Sequence, residues 1–333
     1  MSQTVVITGV TGFVGMRIAE AALNAGYRVR ATVRNLDQAE KVRGFIAAEA
    51  ETDALDFYPA DLLSDDGWDA AFEGADYVIH AASPLILGNV ADEKILMEPA
   101  IQGTRRVLAA SLRQGIKKVV LTSTALTAAA HITEGDVTPE DFTPIEASGV
   151  NPYTKSKILA EQEVMSFAKA NPDGPELVSI LPGVIIGPPL NRDEDSESIG
   201  LFKGIWSGAQ PLVPDISFPL ADVRDVAAAH VNALTANTGP MSRFLVSFTT
   251  YPQRLIDIAF VLRESGNKKA PKRVIPRGVL RILALFNSEL RSLVQSTEGL
   301  TMRLDSSKTR EVLSWTPREF KQSVLDTAEA LER

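Results

Sequence analysis

The chain contains no cysteine, which excludes disulfides, thiolate nucleophiles and cysteine-based metal sites. Its histidines, His80, His131 and His230, are scattered without metal-ligand spacing, so no metal centre is expected. Basic residues are in the minority: 34 lysines and arginines face 42 acidic residues, for a net charge of -8. That balance argues against nucleic acid as a partner, because non-specific binding needs a basic surface. No uncharged apolar run reaches the about 18 residues that a membrane span requires. The nearest stretch, Val279 to Val294, is interrupted by Arg281, Glu289 and Arg291 and reads as an amphipathic helix. The first residues run directly into an apolar strand pattern, without the basic region or cleavage site of a signal peptide. A soluble cytoplasmic protein, with no membrane partner, is expected. What the chain does have is apolar content, 45% over 333 residues, enough for one large α/β domain or a core domain with a smaller lobe.

The first half alternates short β-branched runs with longer helical patterns, the rhythm of a parallel sheet with crossover helices. Strands are predicted at Thr4–Thr8, Arg28–Val33, Leu55–Pro59, Tyr77–His80, Lys118–Thr122 and Leu177–Leu181. Helices are predicted at Phe13–Asn24, from the second strand through Ala50, around Asp65–Phe72, from Ala91 to Gln114, and from Asn151-Pro152 to about Ala170. Asn is a good helix N-cap and Pro suits the first turn. Six strands in this order make a doubly wound parallel sheet, the Rossmann fold. After Pro182 prolines and glycines punctuate the text, and the acidic run Asp193-Glu194-Asp195 reads as a solvated loop. Helices at Val223–Ala236, Gln253–Glu264 and Val279–Gln295 alternate with strand-like pieces such as Arg243–Phe248. Residues 1–181 are therefore assigned to a dinucleotide-binding domain. Residues 182–333 are assigned to a smaller, mixed substrate lobe, with strands and helices returning to the core.

Between the first strand and first helix stand Gly9, Gly12 and Gly15. Residues without Cβ let the backbone approach a pyrophosphate and let the helix pack on its strand. The helix N-terminus then offers free N–H groups and partial positive charge to phosphates. The second strand ends Ala31-Thr32-Val33-Arg34, where NAD-specific sites usually place an acid for the ribose 2′-hydroxyl. A guanidinium at Arg34, with Lys41 one helical segment on, suits a 2′-phosphate instead. NADP(H) is expected ahead of NAD(H).

Tyr153 and Lys157, four residues apart, share one face of the helix opened by Asn151-Pro152. Free tyrosine titrates near pH ~10, and a nearby ammonium lowers that value and makes the phenol a usable proton donor at neutral pH. The fifth strand ends Leu121-Thr122-Ser123-Thr124-Ala125, putting hydroxyls at the carboxyl edge of the sheet, where ligands bind in such folds. A hydroxyl there can hydrogen-bond a substrate carbonyl as negative charge develops.

Together these residues resemble the extended branch of the short-chain dehydrogenase/reductase superfamily, over nearly the whole chain. The matching motifs are Thr8-Gly9-x-x-Gly12-x-x-Gly15, Asp61-Leu62, Ala81-Ala82-Ser83-Pro84, Tyr153-x-x-x-Lys157 and Leu181-Pro182-Gly183. Asp222-Val223-Arg224-Asp225-Val226-Ala227 and Ser314-Trp315-Thr316-Pro317 extend the match towards the C-terminus. Val29-Arg30-Ala31-Thr32-Val33-Arg34 looks most like dihydroflavonol 4-reductases, cinnamoyl-CoA reductases and microbial aldehyde or ketone reductases.

The resemblance implies an NADPH-dependent reductase of carbonyl compounds, monomeric or homodimeric, with Tyr153 as proton donor tuned by Lys157. Thr124 would hold the substrate oxygen, with Ser123 as second choice, since the relatives usually carry serine where Thr124 stands. The cofactor would meet Gly9, Thr11, Gly12, Phe13, Val14, Gly15, Arg34, Lys41, Asp61, Leu62, Ala81, Ala82, Tyr153, Lys157 and Pro182. A small-molecule carbonyl substrate would meet Pro84, Leu85, Ile86, Val184, Leu190, Trp206 and Phe218. Plant flavonoid reductases carry an asparagine at the position of Ala129, so no flavonoid is expected here. The alternatives are a nucleotide-sugar epimerase or dehydratase with tightly held NAD, which Arg34 argues against, and a hydroxysteroid or alcohol dehydrogenase.

Overall fold

The computed structural model of the chain describes residues 2–85, 92–286, 291, 294, 297 and 300–332. Its main sheet is built from β1 (Thr4–Thr8), β2 (Arg28–Val33), β3 (Leu55–Pro59), β4 (Tyr77–His80), β5 (Lys118–Thr122), β6 (Glu176–Pro182) and β7 (Met241–Val246). The strands lie in the order β7-β6-β5-β4-β1-β2-β3, all parallel. β1 is buried at every position, and its side chains divide by the two-residue period of a strand. Ile7 joins a cluster with Met16, Ile18 and Val226 on one face. Val6 joins Trp68, Phe72 and Val107 on the other. Both faces at the centre of such a sheet must be covered, which is why β1 and β4 read as mainly apolar runs, buried throughout.

Helices of the chain include α1 (Phe13–Asn24), α2 (Ala39–Ile46), α3 (Trp68–Phe72), α4 (Lys94–Arg113), α5 (Pro152–Ala170), α6 (Glu197–Ser207), α7 (Val223–Thr235), α8 (Leu255–Glu264), α9 (Arg277–Ala284) and α10 (Phe320–Glu332). α1 packs on α7, and α4 on α5. Beyond β6 a second cluster gathers Phe202, Ile205, Leu220, Leu255, Ile258 and Val324. It is stitched by short ribbons, of which Val184–Ile186 with Leu220–Asp222 is parallel and Ser217–Phe218 with Gln253–Arg254 antiparallel.

Several elements differ from the sequence reading. α2 ends at Ile46 rather than Ala50. The Arg43 guanidinium donates to the carbonyls of Thr52 (3.0 Å) and Leu55 (2.8 Å) and draws the chain back to β3. α3 starts at Trp68 rather than Asp65, because Gly67 sits in the left-handed region at φ 85° and ends the preceding turn. α8 starts at Leu255, since Gln253 and Arg254 are spent on a ribbon. α4 is described from Lys94 and α9 to Ala284; Ala91 and Gln295, where these helices were expected to begin and end, lie outside the described residues. The strand-like piece at Arg243–Phe248 is β7, at 241–246, and it pairs with β6 as a seventh strand of the main sheet. β6 is buried from Leu177 to Pro182, so its outer edge needs a backbone partner and an apolar neighbour, which Phe244 and Leu245 supply.

The DVRDVA and SWTP motifs meet as structure. The Asp222 carboxylate caps α7 by accepting from the Arg224 N–H (2.7 Å) and also accepts from Ser323 Oγ (2.6 Å). The Trp315 indole N–H donates to the Asp225 carbonyl (2.9 Å), binding the C-terminal segment to the start of α7.

Candidate active site

The strand order reverses on either side of β1, whose register aligns Thr8 with both Thr32 of β2 and His80 of β4. The chain continuations after β1, β4, β5 and β6 therefore emerge along one edge, at the topological switch point where such sheets bind ligands. The edge is braced from within. Thr8 Oγ1 lies 2.8 Å from His80 Nδ1 and accepts from the Ala82 N–H (3.1 Å). Burial pushes His80 down to about 3, so the imidazole is neutral.

The three glycines of the turn do different work. Gly9 has φ 75°, and a Cβ on it would lie 2.7 Å from the backbone N and Cα of Ala82. A Cβ on Gly15 would lie 2.1 Å from the Gly9 carbonyl oxygen. Those two positions are closed by the protein itself. At Gly12 a Cβ would meet only the Gly9 oxygen, at an ordinary 3.5 Å, and Thr11 and Gly12 are exposed at the tip of the turn. The missing side chain at Gly12 thus keeps outward space clear, ahead of the N–H groups of α1, and a pyrophosphate fits there. Phe13 is buried with Ile199 and Val223, and Val14 packs against them. Arg17, one turn on, is buried and donates to the Pro188 carbonyl from Nε (3.0 Å) and Nη2 (2.8 Å), fastening the loop after β6 to α1.

At the end of β2, Arg34 is exposed and has no hydrogen bond or ion pair among the described residues. Lys41 is also exposed, its ammonium 5.7 Å from the Phe45 ring centre. Asp37 is turned onto Asn35, whose amide donates to it (3.0 Å). Asp61 is engaged in its own turn, accepting from the Leu63 N–H (2.8 Å). Leu62 packs so closely on Gly103 that a Cβ there would lie 2.5 Å from Leu62 Cδ2.

On the other side of the edge, Asn151 caps α5 by accepting from the Thr154 N–H (2.8 Å), which sets the first turn carrying Tyr153. The Tyr153 phenol stands beside the Thr124 hydroxyl and is pushed up to about 12, by burial first, with the Thr124 side chain acting in the opposite direction. Lys157 is buried and is lowered to about 8 by that burial. Its Nζ donates to the Thr122 carbonyl (2.9 Å). The spacing predicts a phenol lowered by the lysine; here the lysine is directed at the strand end, and burial dominates the phenol. Ser123 Oγ lies 3.4 Å from Thr127 Oγ1, while Thr124 is the hydroxyl beside Tyr153. Pro182 accepts from the Ala125 N–H (2.8 Å), holding β6 to this turn.

Of the expected substrate contacts, Pro84 and Leu85 follow β4 at this edge, Leu85 exposed. Ile86 lies outside the described residues. Leu190 packs against the cluster under α1 and α7, whereas Val184, Trp206 and Phe218 pack, partly exposed, against the second cluster. Ala129 is buried in a cluster with Val137, Leu181 and Met302. The acidic run is a loop with Asp193 and Asp195 exposed, as expected, but Glu194 is buried, its carboxyl pushed up by that burial, and it accepts from the Ser196 N–H (3.0 Å).

Sequence reasoning missed Arg17, Thr127, Glu161, His230 and Arg243. His230 is fully buried, its Nδ1 2.8 Å from the Val226 carbonyl and its Nε2 2.7 Å from Thr122 Oγ1. A carbonyl only accepts, so Nδ1 carries the proton and Nε2 accepts from the threonine. Burial pushes His230 down to about 4 and keeps it neutral.

Residues 5–246 match the family described as the NAD dependent epimerase/dehydratase family. The chain is similar to an uncharacterized oxidoreductase of Schizosaccharomyces pombe, 34% identical over 80% of this chain and 84% of the relative. It is also similar to an anthocyanidin reductase of Vitis vinifera, 32% identical over 69% of this chain and 72% of the relative. Among solved structures, yeast methylglyoxal/isovaleraldehyde reductase Gre2 complexed with NADPH shares the fold, with a TM-score of 0.81 at 22% identity, covering 99% of this chain and 98% of that one.

Proposed function

Since the chain belongs to the NAD dependent epimerase/dehydratase family and is an oxidoreductase, we propose that it reduces an aldehyde or ketone to the alcohol with NADPH. The observation that carries this reading is the pair of neighbouring hydroxyls, Thr124 and Tyr153, together with the buried Lys157 at the carboxyl edge of the sheet. Thr124 orients the carbonyl oxygen and supports its growing negative charge. Tyr153, protonated throughout the physiological range, donates its phenolic proton to that oxygen. Lys157 holds the ribose of the cofactor and supplies positive charge near the phenol as it gives up the proton. The reduced nicotinamide, when bound, supplies the hydride. The glycine turn and the first N–H groups of α1 take the pyrophosphate, Arg34 and Lys41 the 2′-phosphate, and Asp61 and Leu62 flank the adenine.

NADPH is favoured over NADH by the exposed guanidinium of Arg34, unpaired among the described residues and set where an acid would otherwise accept a ribose hydroxyl. Arg34→Asp exchanges an attraction for phosphate for a repulsion. It is expected to move the NADPH-to-NADH preference by on the order of 10²-fold, from the loss of one charge-assisted hydrogen bond. The check is steady-state kcat/KM with both cofactors on one aldehyde; an unchanged ratio would remove Arg34 from phosphate binding. The activity itself is tested by following NADPH oxidation over a panel of aldehydes and ketones. Stoichiometric NAD in the purified protein, with no net NADPH consumption, would favour an epimerase or dehydratase instead.

A further inference from the structure

Glu161 stands one helical turn beyond Lys157 on α5, so the two side chains leave the same face. Its carboxylate is only 4% exposed and accepts from Arg243 through Nη2 (2.9 Å) and Nε (3.4 Å). Arg243 rises from β7 and is equally buried. Its Nη1 donates to the carbonyls of Pro139 (2.7 Å) and Asp141 (2.5 Å), and its Nη2 also donates to Thr127 Oγ1 (2.9 Å). The Phe142 ring centre lies 4.0 Å from the guanidinium carbon. Thr127 passes the connection on: both its N–H (3.0 Å) and its hydroxyl (2.9 Å) donate to the Thr124 carbonyl. One buried arginine therefore grips the Tyr153–Lys157 helix through Glu161 and the Thr124 turn through Thr127.

We infer that Glu161, held in place by Arg243, keeps Lys157 in its ammonium form at physiological pH and, with Thr127, locks the Thr124 turn to the Tyr153–Lys157 helix. Both are positioning residues, acting through Lys157 and Thr124 rather than on a substrate, and the inference rests on the reading of that lysine as functional. Among the described residues, the titratable groups near Lys157 come from three elements. His80 of β4 and His230 of α7 are neutral, held at about 3 and about 4 by burial, so neither brings a charge. Tyr153 on the same helix keeps its proton. Arg243 brings a second buried positive charge and binds Glu161 directly (2.9 Å), so the one carboxylate serves both cations. Burial drives the lysine towards its neutral form, and the Glu161 carboxylate opposes it. A buried ammonium set on a strand-end carbonyl and flanked by neutral imidazoles needs such a counter-charge.

The experiment is a pH titration of the full chain labelled with 13Cε-lysine, followed by NMR, with Lys157→Arg to assign the resonance. The native midpoint is expected near 8. Glu161→Gln still accepts from Arg243 through its amide oxygen but carries no charge. It should lower the midpoint by about one unit or more, a roughly tenfold smaller ammonium-to-amine ratio at a given alkaline pH. Glu161→Asp should restore most of it. In NADPH-dependent carbonyl reduction, the basic limb of the pH profile should move down in parallel, a change that general loosening of the fold does not produce. If Glu161→Gln fails to fold, the double variant Glu161→Met/Arg243→Met removes the pair without stranding a charge, and its midpoint must move the same way. An unmoved midpoint in a folded variant overturns the inference whatever the activity. Absence of carbonyl reduction by the native chain, with the midpoint shifting as stated, defeats the reductase reading and leaves the charge assignment standing.

Discussion

Replacing Tyr153 by phenylalanine is expected to lower kcat/KM for carbonyl reduction by about 10²–10⁴-fold, the range a positioned proton donor supplies, while NADPH still binds. The phenylalanine ring keeps the packing at the start of α5 and removes only the hydroxyl that stands beside Thr124. Burial pushes the phenol up to about 12, so the donor stays protonated through neutral and mildly alkaline pH. Lys157, lowered to about 8, loses its charge first as pH rises. The native rate should therefore hold level through neutrality and decline above about 8, and the residual rate of the variant should not recover in acid. The measurement is steady-state NADPH oxidation across pH beside a fluorescence titration of NADPH binding. A variant within threefold of native activity would strip Tyr153 of its role.

Gly15→Ala and Gly12→Ala are expected to fail in opposite ways. An alanine Cβ at residue 15 would stand 2.1 Å from the Gly9 carbonyl oxygen and 2.7 Å from its carbon, both backbone atoms that cannot swing aside. The turn or α1 must shift, at a cost of about 1–3 kcal/mol or more, as for other overpacked sites, read as a lowered Tm. At residue 12 the backbone is extended (φ -90°, ψ 163°) and the new methyl meets only an oxygen at 3.5 Å, so the fold should tolerate it. The methyl would instead occupy space in front of the α1 N-terminus, weakening NADPH by about tenfold or more, ~1.4 kcal/mol. Thermal unfolding and cofactor titration on the same samples separate the two effects. Native-like affinity in Gly12→Ala would mean that the pyrophosphate does not approach this glycine.

The parts of this architecture that could be read from the chain are those with local causes. The first five strands and α1 have the predicted bounds; β1 and β4 are buried at every position and so are apolar at most of them, while β2 and β3 are partly exposed and alternate apolar with polar residues. The Asn151-Pro152 start of α5 was equally legible, since capping acts over three residues. β7 was visible as a strand but not as a member of the main sheet: nothing in Arg243–Phe248 states which edge it will complete. Arg17, Glu161, His230 and Arg243 carried no periodic or motif signal. Their roles rest on partners 171 positions away for Arg17, 82 for Glu161 with Arg243, and 108 for His230.

By itself, then, the sequence determined the alternating α/β order, the glycine turn after the first strand and the Tyr153–Lys157 spacing, all set by interactions within a few residues. Only the tertiary structure decided which hydroxyl stands beside Tyr153. It turned Ser123 towards Thr127 and Thr124 towards the phenol. It also decided what surrounds Lys157: neutral imidazoles, a strand-end carbonyl, and a carboxylate tied to the last strand of the sheet. Burial and charge pairing are properties of side chains brought together from distant positions, and in a low-dielectric interior they govern protonation more strongly than spacing along one helix.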